Sequence, residues 1–129
     1  LQGLHKYKFG KEEKLKSRKG IQLLFASGNK LNQFPFRCLW LRVPADEGVR
    51  LAVSVSSRNF KKAVHRNRIK RLMREAYRQH KSILFERKDS RGIAFVIIYT
   101  GTEMPVFSQV EKAVKTLLEK ISGFINEPH

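Results

Sequence analysis

The chain has 129 residues, 41% of them hydrophobic, which suits one compact domain and is too short for two ordinary ones. Its 27 Lys and Arg against 11 Asp and Glu give a formal net charge of +16, a self-repulsion that a polyanionic partner, most commonly nucleic acid, relieves. Cys38 is the single cysteine, which excludes an internal disulfide and every multi-cysteine zinc motif, and its neighbours Phe36, Leu39 and Trp40 predict a buried strand thiol suited to a reducing cytoplasm.

Residues 1–16 read as a basic, partly flexible arm, and the Lys-rich stretch 6–19 fits a phosphate-contacting arm and a solvated tail equally well. Residues 1–19 lack the apolar h-region of a secretory signal. Ser17 is placed to cap a helix of about two turns carrying Ile21, Leu24 and Phe25 at i, i+3, i+4 spacing and ended by Ser27-Gly28-Asn29. Residues 36–43 are β-branched, aromatic or aliphatic and lie between Pro35 and the turn Pro44-Ala45-Asp46-Glu47-Gly48, which predicts a strand. Residues 50–56 predict a second, and the two are expected to pair as a hairpin.

A long helix follows, beginning near Ala63 or His65 and running to about Phe85. The apolar run 93–99 predicts a third strand after the polar break Asp89-Ser90-Arg91-Gly92. Residues 100–105 read as a loop. A final helix over 107–124 has Ser108 and Glu111 at capping-box spacing and an apolar stripe of Val110, Ala113, Val114, Leu117, Leu118 and Ile121, leaving 125–129 as a tail. The order αββαβα predicts an α+β fold, a layer of helices on a small sheet. No apolar run approaches the roughly 20 residues that span a bilayer, and the apolar face of the basic helix suits a core, so membrane binding is not expected.

The long helix carries the functional reading. At about 100° per residue, Ile69, Leu72, Met73, Ala76 and Tyr77 fall within an arc of about 140°. Asn67, Arg71, Arg74 and Arg78 cluster on the opposite side, flanked by Lys70 and Arg68. Arginines stacked one turn apart repel one another, whereas a helix face seeking only solubility mixes Glu with Lys. The planar guanidinium fork matches phosphate geometry, and the Asn67 amide can serve a base edge, a ribose hydroxyl or a neighbouring Arg. The alternative is a solvated basic face.

The run Arg66-Asn67-Arg68-Ile69-Lys70-Arg71-Leu72, followed by Arg74-Glu75-Ala76-Tyr77-Arg78, resembles the RNR signature of the bacterial ribonuclease P protein family. The resemblance extends through Leu51-Ala52-Val53-Ser54-Val55-Ser56, Lys61-Lys62-Ala63, the basic arm and the element order, roughly residues 8–122. It implies a two-layer α+β sandwich with a small mixed sheet and a left-handed βαβ crossover, like the second domain of ribosomal protein S5, where a generic prior favours the right-handed connection. It also implies an RNA-binding subunit that assists a catalytic RNA in removing the 5′ leader from precursor tRNA. Its RNA-binding residues would be Arg58, Lys61, Lys62, Arg66, Asn67, Arg68, Lys70, Arg71, Arg74 and Arg78.

By the same resemblance, a cleft between the first helix and the sheet holds the single-stranded leader. Ile21, Phe25 and Phe36 are the candidate lining, with an ordinary core role equally open for each Phe. The chain departs from the family at Ile21, where an aromatic residue is common, at Ser57-Arg58 in place of a doubly basic pair, and at Tyr99-Thr100-Gly101, where further basic residues are frequent. Leader contacts are therefore expected to be sparser or rearranged.

The scattered His5, His65, His80 and His129 and the few carboxylates, Glu111 and Glu119 among them read as surface charge, offer no nuclease centre. No catalytic or metal-binding side chain is expected. The resemblance implies Mg²⁺ bound mainly through the RNA subunit, no obligate protein partner and a cytoplasmic setting. Three rivals remain: a structural ribosomal protein, a helix-turn-helix DNA reader and an autonomous nuclease.

Overall fold

Strand β4 (Gly92–Tyr99) is apolar along nearly its whole length, and the computed structural model shows why: it is an inner strand of the sheet with both faces covered. The structure describes residues 18–44, 48–85 and 92–125. In chain order the elements are α1 (Arg18–Ser27), β1 (Asn29–Gln33), β2 (Phe36–Val43), β3 (Val49–Val55), α2 (Ala63–His80), the short α3 (Ser82–Phe85), β4 and α4 (Phe107–Ile125). The sheet order is β1-β2-β4-β3, with β1/β2 and β2/β4 antiparallel and β3/β4 parallel. This is the expected small mixed sheet of an α+β fold, with α2 in the connection between the parallel strands.

One expectation about the strands is corrected, and one strand is added. The segments 36–43 and 50–56 do not form a hairpin, because β4 inserts between β2 and β3. A strand apolar on both faces is buried best between two neighbours, so β4 takes the inner place and β3 pairs alongside it in parallel. The hairpin of this sheet is β1–β2, closed by Phe34 and Pro35, whose peptide bond is cis. Strand β1, Asn-Lys-Leu-Asn-Gln, went unseen because it is polar apart from Leu31; as an edge strand it is held by backbone pairing rather than by burial.

Side-chain parity sorts the sheet into two faces. Phe36 and Cys38 of β2, Val49, Leu51 and Val55 of β3, and Ile93, Phe95, Ile97 and Tyr99 of β4 form one cluster with α2 and α4. Ile69, Met73, Ala76 and Tyr77 enter it from α2, and Val110, Val114, Leu117, Leu118 and Ile121 from α4, as their spacing predicts. Tyr77 meets Phe95 edge-on at 6.1 Å. On the other face Leu24 of α1 packs on Leu39, Ala94 and Val96. Gly28 lets the chain leave α1 sharply: its N–H donates to the Leu24 carbonyl at 2.8 Å, and a Cβ there would overlap that oxygen.

The helices depart from expectation in detail. The long helix stops at His80, and a turn at the buried Lys81 precedes α3, which brings Leu84 into the core. Helix α4 begins at Phe107, ahead of Ser108, and the residue reaching back is Gln109, whose Oε1 accepts the Val106 N–H at 3.4 Å. Cys38 is fully buried, and burial pushes its thiol up to about 12. The Ser17 cap, the arm 1–16, turn residues 45–47, the polar break 89–91 and residues 126–129 lie outside the described residues. Among the described residues no helix is long and apolar enough to cross a membrane.

Candidate nucleic-acid interface

Helix α2 is fixed by one face and offers the other. Ile69, Met73, Ala76 and Tyr77 have no exposed surface, and Leu72 packs against them from the edge of the cluster. Asn67, Arg68, Arg71 and Arg74 are exposed, with Lys70 half-buried beside them. Among the described residues the ion pairs on α2 involve only Arg78 and His80, so Arg68, Lys70, Arg71 and Arg74 face solvent without an acidic partner. Arg71 and Arg74 share the solvent face, with Lys70 and Arg68 on its two flanks, and repulsion among these cations favours a polyanion over water.

Three residues of the sequence-predicted set behave differently from the ridge. Arg78 is bound by Glu75: its Nε donates to Oε2 at 3.1 Å and its Nη2 bonds the other carboxylate oxygen. The Arg78 hydrogen bond, followed by one from Gln79 at 3.1 Å, holds the Glu75 carboxyl below the usual carboxylate range. Arg66 turns back, donating from Nη1 to the carbonyls of Phe60 at 2.7 Å and Lys61 at 2.9 Å, and so locks the loop that leads into α2. Phe36 does not line a cleft beneath α1. Parity sends its ring to the opposite face, where it is 2% exposed and meets Tyr99 edge-on at 5.7 Å.

Arg58, Lys61 and Lys62 are exposed on that entry loop, just ahead of the helix N-terminus. Lys62 is the N-cap residue but supplies no capping hydrogen bond, and the first turn has no acid to balance the positive end of the helix dipole. Cations gathered at that end are destabilising unless an anion joins them.

The α1 side of the sheet forms a second surface. Leu24 is its anchor, Ile21 is half-buried and Phe25 is 56% exposed on the helix above. Leu41, Val43, Ala52 and Ile98 leave the floor only partly covered. Strand register adds three cations that sequence reasoning missed. Lys30 pairs with Leu39, Arg37 stands between Phe36 and Cys38, and Arg50 pairs with Ala94, so all three sit on the α1 face. Their signal was a cation alternating with buried residues along a strand. The apolar floor with cations at its margins suits unpaired bases and their phosphates.

Glu111, read as surface charge, instead bonds His80 at 3.1 Å and ties α4 to α2. Among the described residues no group of three His, Cys, Asp or Glu converges.

The family described as Ribonuclease P matches this chain over residues 9–122. The chain belongs to the ribonuclease P protein family. A ribonuclease P protein component from Porphyromonas gingivalis is 37% identical over 120 residues, covering 88% of this chain and 85% of that protein. The component from Chlorobium phaeobacteroides is 31% identical over 135 residues, covering 94% and 92%. Among solved structures, the ribonuclease P protein of Thermotoga maritima superposes with a TM-score of 0.67 at 26% identity, over 84% of this chain and 96% of that one. That of Staphylococcus aureus gives 0.69 at 24% identity over 88% and 98%, a likeness of fold. Ribonuclease P membership makes the chain an RNA-binding component of a tRNA-processing nuclease, and the resemblance drawn from Arg66-Asn67-Arg68 holds.

Proposed function

We propose that α2 and its entry loop bind the RNA subunit of ribonuclease P, that the cleft beneath α1 binds the 5′ leader of precursor tRNA, and that the complex removes that leader in the cytoplasm. The observation that carries the reading is the ridge of exposed Arg68, Arg71 and Arg74 with the half-buried Lys70, none with an acidic partner among the described residues, on a helix whose other face is locked in the core. Neutralising phosphates there releases counterions, which favours association and makes it salt-dependent. Arg66 acts as a positioning residue that presents Arg58, Lys61 and Lys62 beside the ridge.

In line with the family resemblance, the Mg²⁺ is assigned mainly to the RNA subunit and the hydrolysis to RNA. The protein's own part is to hold two RNA segments in a fixed relation, an entropic advantage for a reaction between them. A helix-turn-helix reader is disfavoured because β3, not a helix, precedes α2. Reconstitution separates this reading from a structural ribosomal protein. Added to the ribonuclease P RNA at physiological Mg²⁺, the chain is expected to raise 5′ maturation of a precursor tRNA. An unchanged cleavage rate, or cleavage by the protein alone, contradicts the proposal.

A further inference from the structure

The turn that closes the β1–β2 hairpin holds Phe34 in solvent at 83% exposure, the highest of the large apolar side chains among the described residues. Beside it a pocket of about 530 Å³ opens between this turn, the loop after β4 and the first turns of α4, within the size range of small-ligand sites. Its lining sets the flat surfaces of Phe34 and Pro35 against polar groups of Glu103, Gln109, Lys112 and Thr116. The Gln109 Oε1 already accepts from the Val106 N–H, which leaves the amide Nε2 as a donor. The strand residues that contribute, Gln33 and Tyr99, belong by parity to the sheet face opposite α1, so the pocket is separate from the cleft described above.

The pocket is joined instead to the cationic loop before α2. Asn59 donates to the carbonyls of Thr100 at 3.4 Å and Gly101 at 3.3 Å. The Thr100 N–H and hydroxyl each donate to the Pro35 carbonyl at 2.9 Å. Phe60 lies 6.0 Å from Tyr99 between ring centroids. These contacts fix the hairpin turn, the pocket wall and the loop bearing Arg58, Lys61 and Lys62 as one continuous surface. The loop is thus tied directly to the pocket wall, through Asn59 at Gly101 and Phe60 at Tyr99.

We propose that this pocket receives one unpaired nucleotide of RNA, its base stacked on Phe34 and its phosphates held by Lys112 and the neighbouring loop. Stacking on an exposed ring uses a surface that water disfavours, and the amide of Gln109 with the carboxylate of Glu103 offers a donor and an acceptor to a base edge. Glu103 disfavours a bare phosphate inside the pocket, which points to the base as the inserted group. The inference rests on the chain being an RNA-binding protein, and the test separates the two.

Hexa-adenylate is titrated into the full chain while backbone amide NMR shifts are followed at Gly101, Thr102 and Gln109 and, separately, at Arg68 and Arg71. The pocket amides are expected to shift along a saturating curve. Phe34→Ala should weaken that curve about tenfold, the loss of one stacked base, and Lys112→Glu should weaken it further at low salt, while the α2 shifts persist. Shifts confined to α2, or a curve indifferent to Phe34→Ala, overturn the pocket and leave the α2 reading standing; no shift in either region overturns both. In the complex reconstituted with RNA subunit and precursor tRNA, photocrosslinking from Phe34→p-azidophenylalanine identifies which RNA supplies the nucleotide. Failure to crosslink either RNA contradicts the proposal.

Discussion

Two side chains show how packing changes chemistry at a single residue. The Cys38 thiol is fully buried and pushed from its ordinary 9.0 to about 12, so it stays protonated in the folded chain. Since the thiolate is the reactive form, Cys38 should resist a disulfide reagent at pH 8 and label at once in denaturant; rapid labelling of the folded protein contradicts its burial. The raised value also fixes a sign. The unfolded thiol ionises near 9.0 and the folded one does not, so this contribution to stability is intact below that pH and is lost as pH rises toward 12. Glu75 has the opposite shift, lowered first by the Arg78 hydrogen bond and then by Gln79, and its carboxylate occupies an arginine beside the ridge. Glu75→Gln removes that negative charge and the ion pair it makes with Arg78. It should tighten binding to the RNA subunit by about two- to fivefold at low salt and by less at high salt, as measured by filter binding. Weaker binding would mean that Glu75 serves the interface by orienting Arg78.

At the scale of elements, α1 and α2 are anchored independently, which makes their roles separable. Leu24, 1% exposed, holds α1 to Leu39, Ala94 and Val96. Leu24→Ala should cost about 2–5 kcal/mol in urea unfolding. If the chain remains folded, binding of a leader oligonucleotide should fall more than binding of the RNA subunit, because α2 keeps its own contacts with α4 and the sheet. Equal losses would argue against a leader site beneath α1. What the sequence disclosed follows the same physics. The helices were legible from the 3.6-residue period of Ile69, Met73, Tyr77 and of Val110, Val114, Leu117 and Ile121, since each buries one stripe. The polar β1 was illegible, because an edge strand is specified by its neighbour's backbone and not by its own side chains. The false hairpin had a related cause: proximity in sequence favours pairing β2 with β3, whereas the two-sided apolar surface of β4 decides the order and lies nearly 40 residues on. The ridge was likewise readable from spacing, but the capture of Arg66 by backbone carbonyls and of Arg78 by Glu75 depends on rotamers that no periodicity encodes. For Phe36, the choice between cleft lining and the core role left equally open needed the parity that only the register with Tyr99 supplies, and the core role holds.

For the molecule as a whole, two groups of described cations lie on opposite sides of one sheet: those of α2 and its entry loop on one, Lys30, Arg37 and Arg50 on the α1 face on the other. Such a body can bridge two RNA segments while its core remains apolar. The proposed function depends on the α2 ridge meeting RNA phosphates. The most direct test is the salt dependence of binding to the ribonuclease P RNA for the wild-type chain and for the Arg71→Ala/Arg74→Ala double variant, both exposed positions whose loss leaves the core intact. The double variant should bind more weakly, and its plot of log K against log salt should flatten by about two units, roughly one for each phosphate contact removed. A slope equal to the wild type's would show that these arginines do not touch RNA, and the proposed use of α2 would be wrong.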